Sequence, residues 1–268
     1  MRGRAAFKIC GLTRPRDAAA AAEAGASYGG VILAHGSPRT LEPARAREVF
    51  GDTGLTRCGV FVNASLEAVL AAARALALDV LQLHGDEDAG FVERAREESG
   101  LEVWKAVRPR EADEFSAAVD QYGAAADGLL LDGWSAVARG GTGTPFPWDE
   151  VAARREYLPG GVRLIVAGGL TPANVGEVIA VLAPDVVDVS SGVESAPGVK
   201  DARLVRAFAE AVHAAFPPRR PADTGDPGGN ARMLSSGAPH RGYRGADELR
   251  GGDRGSFADA QDEKGGSA

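Results

Sequence analysis

Cysteine is scarce in this chain. Only Cys10 and Cys58 occur in 268 residues, with no C-x-x-C and no Cys/His spacing, which excludes a disulfide framework and a zinc site; no metal is expected. Long apolar runs are missing too. No 18 consecutive apolar residues occur, so no helical membrane span is expected, and Met1-Arg2-Gly3-Arg4 leads straight into a strand pattern without the apolar core of a secretion signal. The expectation is a cytoplasmic protein with no membrane partner. Basic residues are outnumbered 30 to 37, for a formal net charge of −7, and a chain short of positive charge argues against a nucleic-acid partner. The first apolar run is not followed by G-x-G-x-x-G, which removes the main sign of a dinucleotide-binding open sheet. Residues 217–268 lack a core: they hold 11 Gly and 5 Pro, with only Met233, Leu234, Tyr243, Leu249 and Phe257 as larger apolar side chains. Such a segment cannot offset its ordering entropy, and a disordered C-terminal tail is expected there. The tail's acidic and basic residues balance at 8 each, so the negative charge belongs to residues 1–216.

Those 216 residues carry short apolar runs alternating with Ala-rich helical patterns. Strands are expected at Ala6–Cys10, Gly29–Leu33, Cys58–Val62, Val80–Leu83, Val103–Val107, Gly128–Leu131, Arg163–Val166 and Val186–Val189. Helices are expected at Arg16–Ala24, Pro43–Phe50, Leu66–Ala77, Ala89–Ser99, Glu111–Val119, Trp148–Glu156, Pro172–Leu182 and Asp201–Ala215. Ser65 reads as an N-cap, Pro172 as a first helical residue, and Gly25, Gly100 and Gly123 as helix ends. Eight strand–helix units in about 210 residues predict an α/β fold, a (β/α)8 TIM barrel forming one catalytic domain over residues 1–216. A doubly wound open sheet is the alternative architecture.

Barrel active sites lie at the C-terminal ends of the strands, which selects the polar residues there. Glycine-rich stretches follow the last three strands: Gly141-Thr142-Gly143, Gly168-Gly169, and Ser190-Ser191-Gly192. Without Cβ atoms such loops let backbone N–H groups approach an anion, so they predict a phosphate cradle; tight turns alone are the competing reading. Asp132 ends the run Gly128–Leu131. Apolar walls there would raise its pKa and suit a general acid, against a simpler role as a turn cap. Cys10 ends the first strand and can serve as a base if a positive neighbour favours its thiolate, against the ordinary fate of a buried cysteine. Cys58 opens its strand and reads as packing. Arg39 can hold a carboxylate through two parallel hydrogen bonds, against a merely solvated arginine. His84 can donate a hydrogen bond or carry a proton, against a structural histidine. Asp86, Glu87 and Asp88 read as acidic N-terminal charges of a helix.

Taken together and in order, Lys8-Ile9-Cys10-Gly11, Ser37-Pro38-Arg39, Gly59-Val60-Phe61-Val62-Asn63, Gln82-Leu83-His84-Gly85-Asp86-Glu87, Leu131-Asp132, Gly140-Gly141-Thr142-Gly143, Ala167-Gly168-Gly169-Leu170 with Asn174, and Asp188-Val189-Ser190-Ser191-Gly192-Val193-Glu194 with Gly198, Lys200 and Asp201 resemble phosphoribosylanthranilate isomerases. The resemblance covers about residues 5–215. It implies an Amadori rearrangement in tryptophan biosynthesis, without metal or organic cofactor, on a small phosphosugar substrate. It further implies Cys10 as general base, Asp132 as general acid, Arg39 as ligand of the anthranilate carboxylate, the glycine loops as phosphate site and Asp188 near the reacting amine. Monomer and homodimer are both compatible with the Ala-rich outer faces. Two other activities stay open: the related isomerase of histidine biosynthesis, expected to carry aspartate where Cys10 stands, and a non-catalytic phospholigand-binding barrel.

Overall fold

The computed structural model describes residues 6–133 and 148–215. The expected tail, 217–268, and the expected phosphate residues Gly141, Thr142 and Gly143 lie outside them.

Eight parallel strands close into a barrel in sequence order: β1 (Ala6–Ile9), β2 (Tyr28–Ile32), β3 (Thr56–Phe61), β4 (Val80–Leu83), β5 (Glu102–Val107), β6 (Gly128–Asp132), β7 (Arg163–Ala167) and β8 (Val186–Val189), with β8 pairing back onto β1. Around them run α1 (Pro15–Glu23), α2 (Pro43–Phe50), α3 (Leu66–Leu76), α4 (Ala89–Ser99), α5 (Ala112–Tyr122), α6 (Trp148–Ala153), α7 (Val175–Leu182) and α8 (Ala202–Ala215). The expected barrel is therefore present, with strand limits shifted by one or two residues.

The strands look uniformly apolar, yet they alternate. Phe7, Ile9, Val31, Phe61, Leu81, Leu83, Val103, Leu129, Leu131, Leu164, Val166, Val187 and Val189 join the large core between sheet and helices. The intervening positions Tyr28, Cys58, Val80, Trp104, Ala106, Leu130, Ile165, Ala167 and Val186 form a second cluster inside the barrel. Successive side chains on a strand point to opposite faces, so each strand supplies both cores. Trp104 is completely buried and meets Tyr28 edge to face, 5.1 Å between ring centres. This aromatic pair fills the inside below the polar positions that follow.

Local chemistry accounts for the helix limits. Ser65 caps α3 by accepting from the Ala68 N–H, and Asp88 caps α4 by accepting from the Phe91 N–H at 2.7 Å. Helix α7 starts at Val175, three residues later than expected from Pro172. Asn174 accepts from the Thr171 N–H at 2.7 Å and donates to the Gly169 carbonyl at 2.9 Å, so a side-chain-stabilised turn occupies Thr171–Asn174. Likewise α6 gives way to a tighter 3-10 turn at Arg154–Tyr157. One element was not expected: after a 3-10 turn at Ser191–Val193, β9 (Glu194–Ala196) and β10 (Val199–Lys200) form an antiparallel hairpin.

Candidate active site

Continuing the inward alternation to the C-terminal ends of the strands delivers Cys10 from β1, Ile32 from β2, Val60 from β3, His84 just after β4, Arg108 just after β5, Asp132 from β6, Ala167 from β7 and Ser190 just after β8. All of them line one cleft of about 470 Å³, together with His35–Ser37, Gly168–Leu170, Asp188 and Ser191. Of the expected residues, Cys10, His84, Asp132, Gly168, Gly169, Asp188, Ser190 and Ser191 are thus brought together. Gly192 does not line the cleft. A Cβ there would sit 1.8 Å from the Leu170 carbonyl oxygen, so its glycine lets the loops after β7 and β8 touch.

Asp132 accepts at Oδ2 from His84 Nε2 at 3.0 Å and from Arg108 Nε at 3.1 Å. The His84 hydrogen bond, reinforced by Arg108, outweighs burial and holds the carboxyl below the usual aspartate range. This corrects the expectation of a raised pKa: Asp132 meets two donors where apolar walls were anticipated. Cys10 is buried, and burial pushes its thiol up despite the opposing charge of Lys8. Near neutral pH the site therefore holds a thiol and a carboxylate.

Beneath the mouth lies a polar layer that the strand patterns concealed. Lys8, Gln82 and Asp188 are all buried inside the barrel, and the β1–β8 register pairs Lys8 with Asp188. Lys8 Nζ donates to Asp188 Oδ2 at 2.8 Å and to Gln82 Oε1 at 2.9 Å. Burial works to lower the Lys8 pKa, but the charge of Asp188 and its hydrogen bond to Lys8 oppose it, and the ammonium stays charged. Asp188 Oδ1 is buried without a hydrogen-bond partner among the described residues, and Asp188 lines the cleft. Such an acceptor suits a donor on a bound molecule. Glycine at position 30 makes this layer possible, since a Cβ there would stand 2.9 Å from Lys8 Cε and 3.2 Å from Cys10 Sγ. Cys58 is fully buried in the inner cluster, in keeping with a packing role.

Arg39 does not line the cleft but packs beside it: a Cβ on Gly11 would meet Arg39 Cδ at 2.5 Å and Ser190 Oγ at 3.1 Å. Arg39 Nε and Nη2 donate to the two carboxylate oxygens of Glu194 at 2.8 and 2.6 Å, and Lys200 Nζ donates to Glu194 Oε1 at 2.7 Å. Burial would raise the Glu194 pKa; the hydrogen bonds from Arg39 and Lys200 outweigh it and lower it. The Arg39 fork is thus already occupied, leaving Nη1 and the second Nη2 hydrogen to donate outward. The unexpected β9–β10 hairpin supplies both Glu194 and Lys200. Glu87, expected as an N-terminal charge of a helix, is buried: Lys105 Nζ donates to it at 2.8 Å, and the N–H groups of Asn63 and Gly85 each donate to it at 2.9 Å. It ties the β3 and β4 loops together behind His84. Gln82, Arg108 and Glu194 were not singled out from sequence. For Gln82 the signal was present, a polar residue within the run Val80-Leu81-Gln82-Leu83.

A family model for N-(5′-phosphoribosyl)anthranilate isomerase matches residues 7–211. The N-(5′-phosphoribosyl)anthranilate isomerase of Rubrobacter xylanophilus is 47% identical over 210 residues, covering 78% of this chain and 98% of that protein. Among solved structures, the phosphoribosyl anthranilate isomerase of Thermotoga maritima is similar with a TM-score of 0.69 at 33% identity, covering 78% of this chain and 98% of that one. A second isomerase structure, in complex with reduced 1-(o-carboxyphenylamino)-1-deoxyribulose 5-phosphate, gives a TM-score of 0.68 at 32% identity, again covering 78% and 98%.

Proposed function

The chain belongs to the N-(5′-phosphoribosyl)anthranilate isomerase family and is an isomerase of tryptophan biosynthesis; from that premise we propose that Cys10 and Asp132 perform the two proton transfers of the rearrangement. Asp132 protonates the furanose ring oxygen. The C1′–O bond breaks, its electron pair stays on oxygen, and the anilino nitrogen lone pair forms the iminium. Cys10 as thiolate then removes the C2′ proton, whose acidity the adjacent iminium raises, and the resulting enolamine relaxes to the ketone. The observation that carries this reading is the convergence of β1 and β6, three strands apart around the barrel, on one cleft that places a thiol and a carboxylate at its mouth.

The remaining groups suit the two anionic ends of the substrate. Gly168 and Gly169, at φ of +85° and +65°, together with Ser190 and Ser191 offer close backbone approach to the phosphate, with Gly141–Gly143 as further contributors. Arg39 receives the anthranilate carboxylate through its free Nη1, with Glu194 holding the guanidinium plane. Asp188 Oδ1 accepts the anilino N–H. Residues 1–216 form the catalytic unit, and 217–268 supply none of its groups. The small phosphosugar is the only partner the site calls for, and the cytoplasm is the expected compartment. Among the described residues no helix is long and apolar enough to cross a membrane.

Phosphoribosylanthranilate fluoresces, so adding the purified protein should make that signal decay. The gene should complement a tryptophan auxotroph but not a histidine auxotroph. Rescue of the histidine auxotroph would instead favour the related aminoaldose isomerase, and ligand binding without turnover a non-catalytic barrel.

A further inference from the structure

From the buried Lys8 to Asp132 runs a hydrogen-bonded chain whose direction is set from one end. Lys8 Nζ carries donors only, so the Gln82 atom facing it at 2.9 Å must be the amide oxygen. The Cys58 thiol approaches the same oxygen at 3.7 Å, a second donor that fixes the same orientation. The Gln82 amide nitrogen then faces His84 Nδ1 at 2.9 Å. An amide nitrogen only donates, so Nδ1 accepts and the ring proton resides on Nε2, 3.0 Å from Asp132 Oδ2. Arg108 Nε meets the same oxygen at 3.1 Å. With two donors on Oδ2, a proton taken up by Asp132 resides on Oδ1.

We propose that Gln82 is a positioning residue of the isomerase reaction: by relaying the donor polarity of Lys8 to His84, it holds the imidazole as an Nε2–H donor to Asp132 and reserves Asp132 Oδ1 for proton transfer to the substrate. Gln82 touches neither reacting atom in this role and acts through His84. The inference rests on the isomerase function proposed above, yet the tautomer can be read without turnover.

Gln82→Glu keeps the size of the side chain and replaces its donor with a second acceptor. Facing a carboxylate, His84 Nδ1 must then carry a proton. In 15N-labelled protein, with the His84 ring resonances assigned by their loss in His84→Asn, the wild type should show protonated Nε2 and bare Nδ1, and Gln82→Glu should show protonated Nδ1. The kcat for phosphoribosylanthranilate should fall by about 10²-fold in Gln82→Glu, a loss of the size expected when acid–base catalysis is disturbed, while KM stays within about threefold. Gln82→Met, which removes the amide's hydrogen bonds to Lys8, Cys58 and His84 without adding charge, should lower kcat with KM likewise unchanged, and covers the case in which the glutamate variant fails to fold. A wild-type Nδ1–H tautomer, or a Gln82→Met enzyme with wild-type kcat, would overturn the proposal. A wild type that shows the Nε2–H tautomer but does not turn over phosphoribosylanthranilate would overturn the isomerase reading instead, leaving the tautomer relay standing.

Discussion

Burial and hydrogen bonding push apart the pKa values of Cys10 and Asp132, the two residues proposed to react. Cys10 titrates above its ordinary range because it is buried, and Asp132 below its own because His84 and Arg108 donate to it. Catalysis needs the opposite pair, thiolate with carboxylic acid. Both arrangements bind one proton in total, so the active fraction does not change with pH between the two pKa values. Below the lowered Asp132 pKa both groups are protonated and the thiolate is lost; above the raised Cys10 pKa both are ionised and the acid is lost. The expected kcat profile is therefore flat within about threefold from pH 6.5 to 8.5, and a tenfold rise per pH unit across that window would show that Cys10 ionisation alone limits turnover. The strand-end residues Cys10, His84 and Asp132 could be read from sequence because barrel chemistry collects at the ends of strands. Gln82 escaped because it sits inside an apolar run, where alternation was hidden by two buried faces. The direction of the Asp132 shift escaped for a related reason: its donors come from β4 and β5, and only the closed barrel brings them to β6.

At the level of elements, β2 and the β9–β10 hairpin explain segments that look featureless in sequence. Gly30 in the second strand leaves room for the Lys8 ammonium and the Cys10 thiol, while Gly29 faces Leu12, Leu55 and Phe50 on the other side. In Gly30→Ala a Cβ 2.9 Å from Lys8 Cε would displace one or both. That variant should fold with a melting temperature within a few degrees of wild type and lose about tenfold or more in kcat, checked by calorimetry and steady-state turnover. The hairpin orients Arg39 through Glu194. Glu194→Gln removes the charge that holds the guanidinium fork, so KM should rise about tenfold while kcat changes little, and an unchanged KM would detach Arg39 from substrate binding. The hairpin itself was not legible, since its strands are only three and two residues long and carry no apolar alternation. The late start of α7 was equally hidden: Pro172 suits a first helical position, but the Asn174 side chain captures the Thr171 N–H and takes the turn for itself.

For the molecule as a whole, the eightfold strand–helix repeat was the most legible feature, because each unit spells out its own punctuation and the count leaves few architectures. An acidic surface surrounding a site for a doubly anionic substrate requires local positive groups. The described residues supply Arg108 on the cleft and Arg39 beside it, while Lys8 is engaged by Asp188 and Gln82 inside the barrel. The central claim is that a thiol from β1 and a carboxyl from β6 divide one rearrangement between them. Steady-state turnover of phosphoribosylanthranilate, followed by its fluorescence with Cys10→Ala and Asp132→Asn beside the wild type, tests that division most directly. Each variant should keep a KM within about threefold and lose about 10²–10⁴-fold in kcat; wild-type turnover in either one would contradict the assignment.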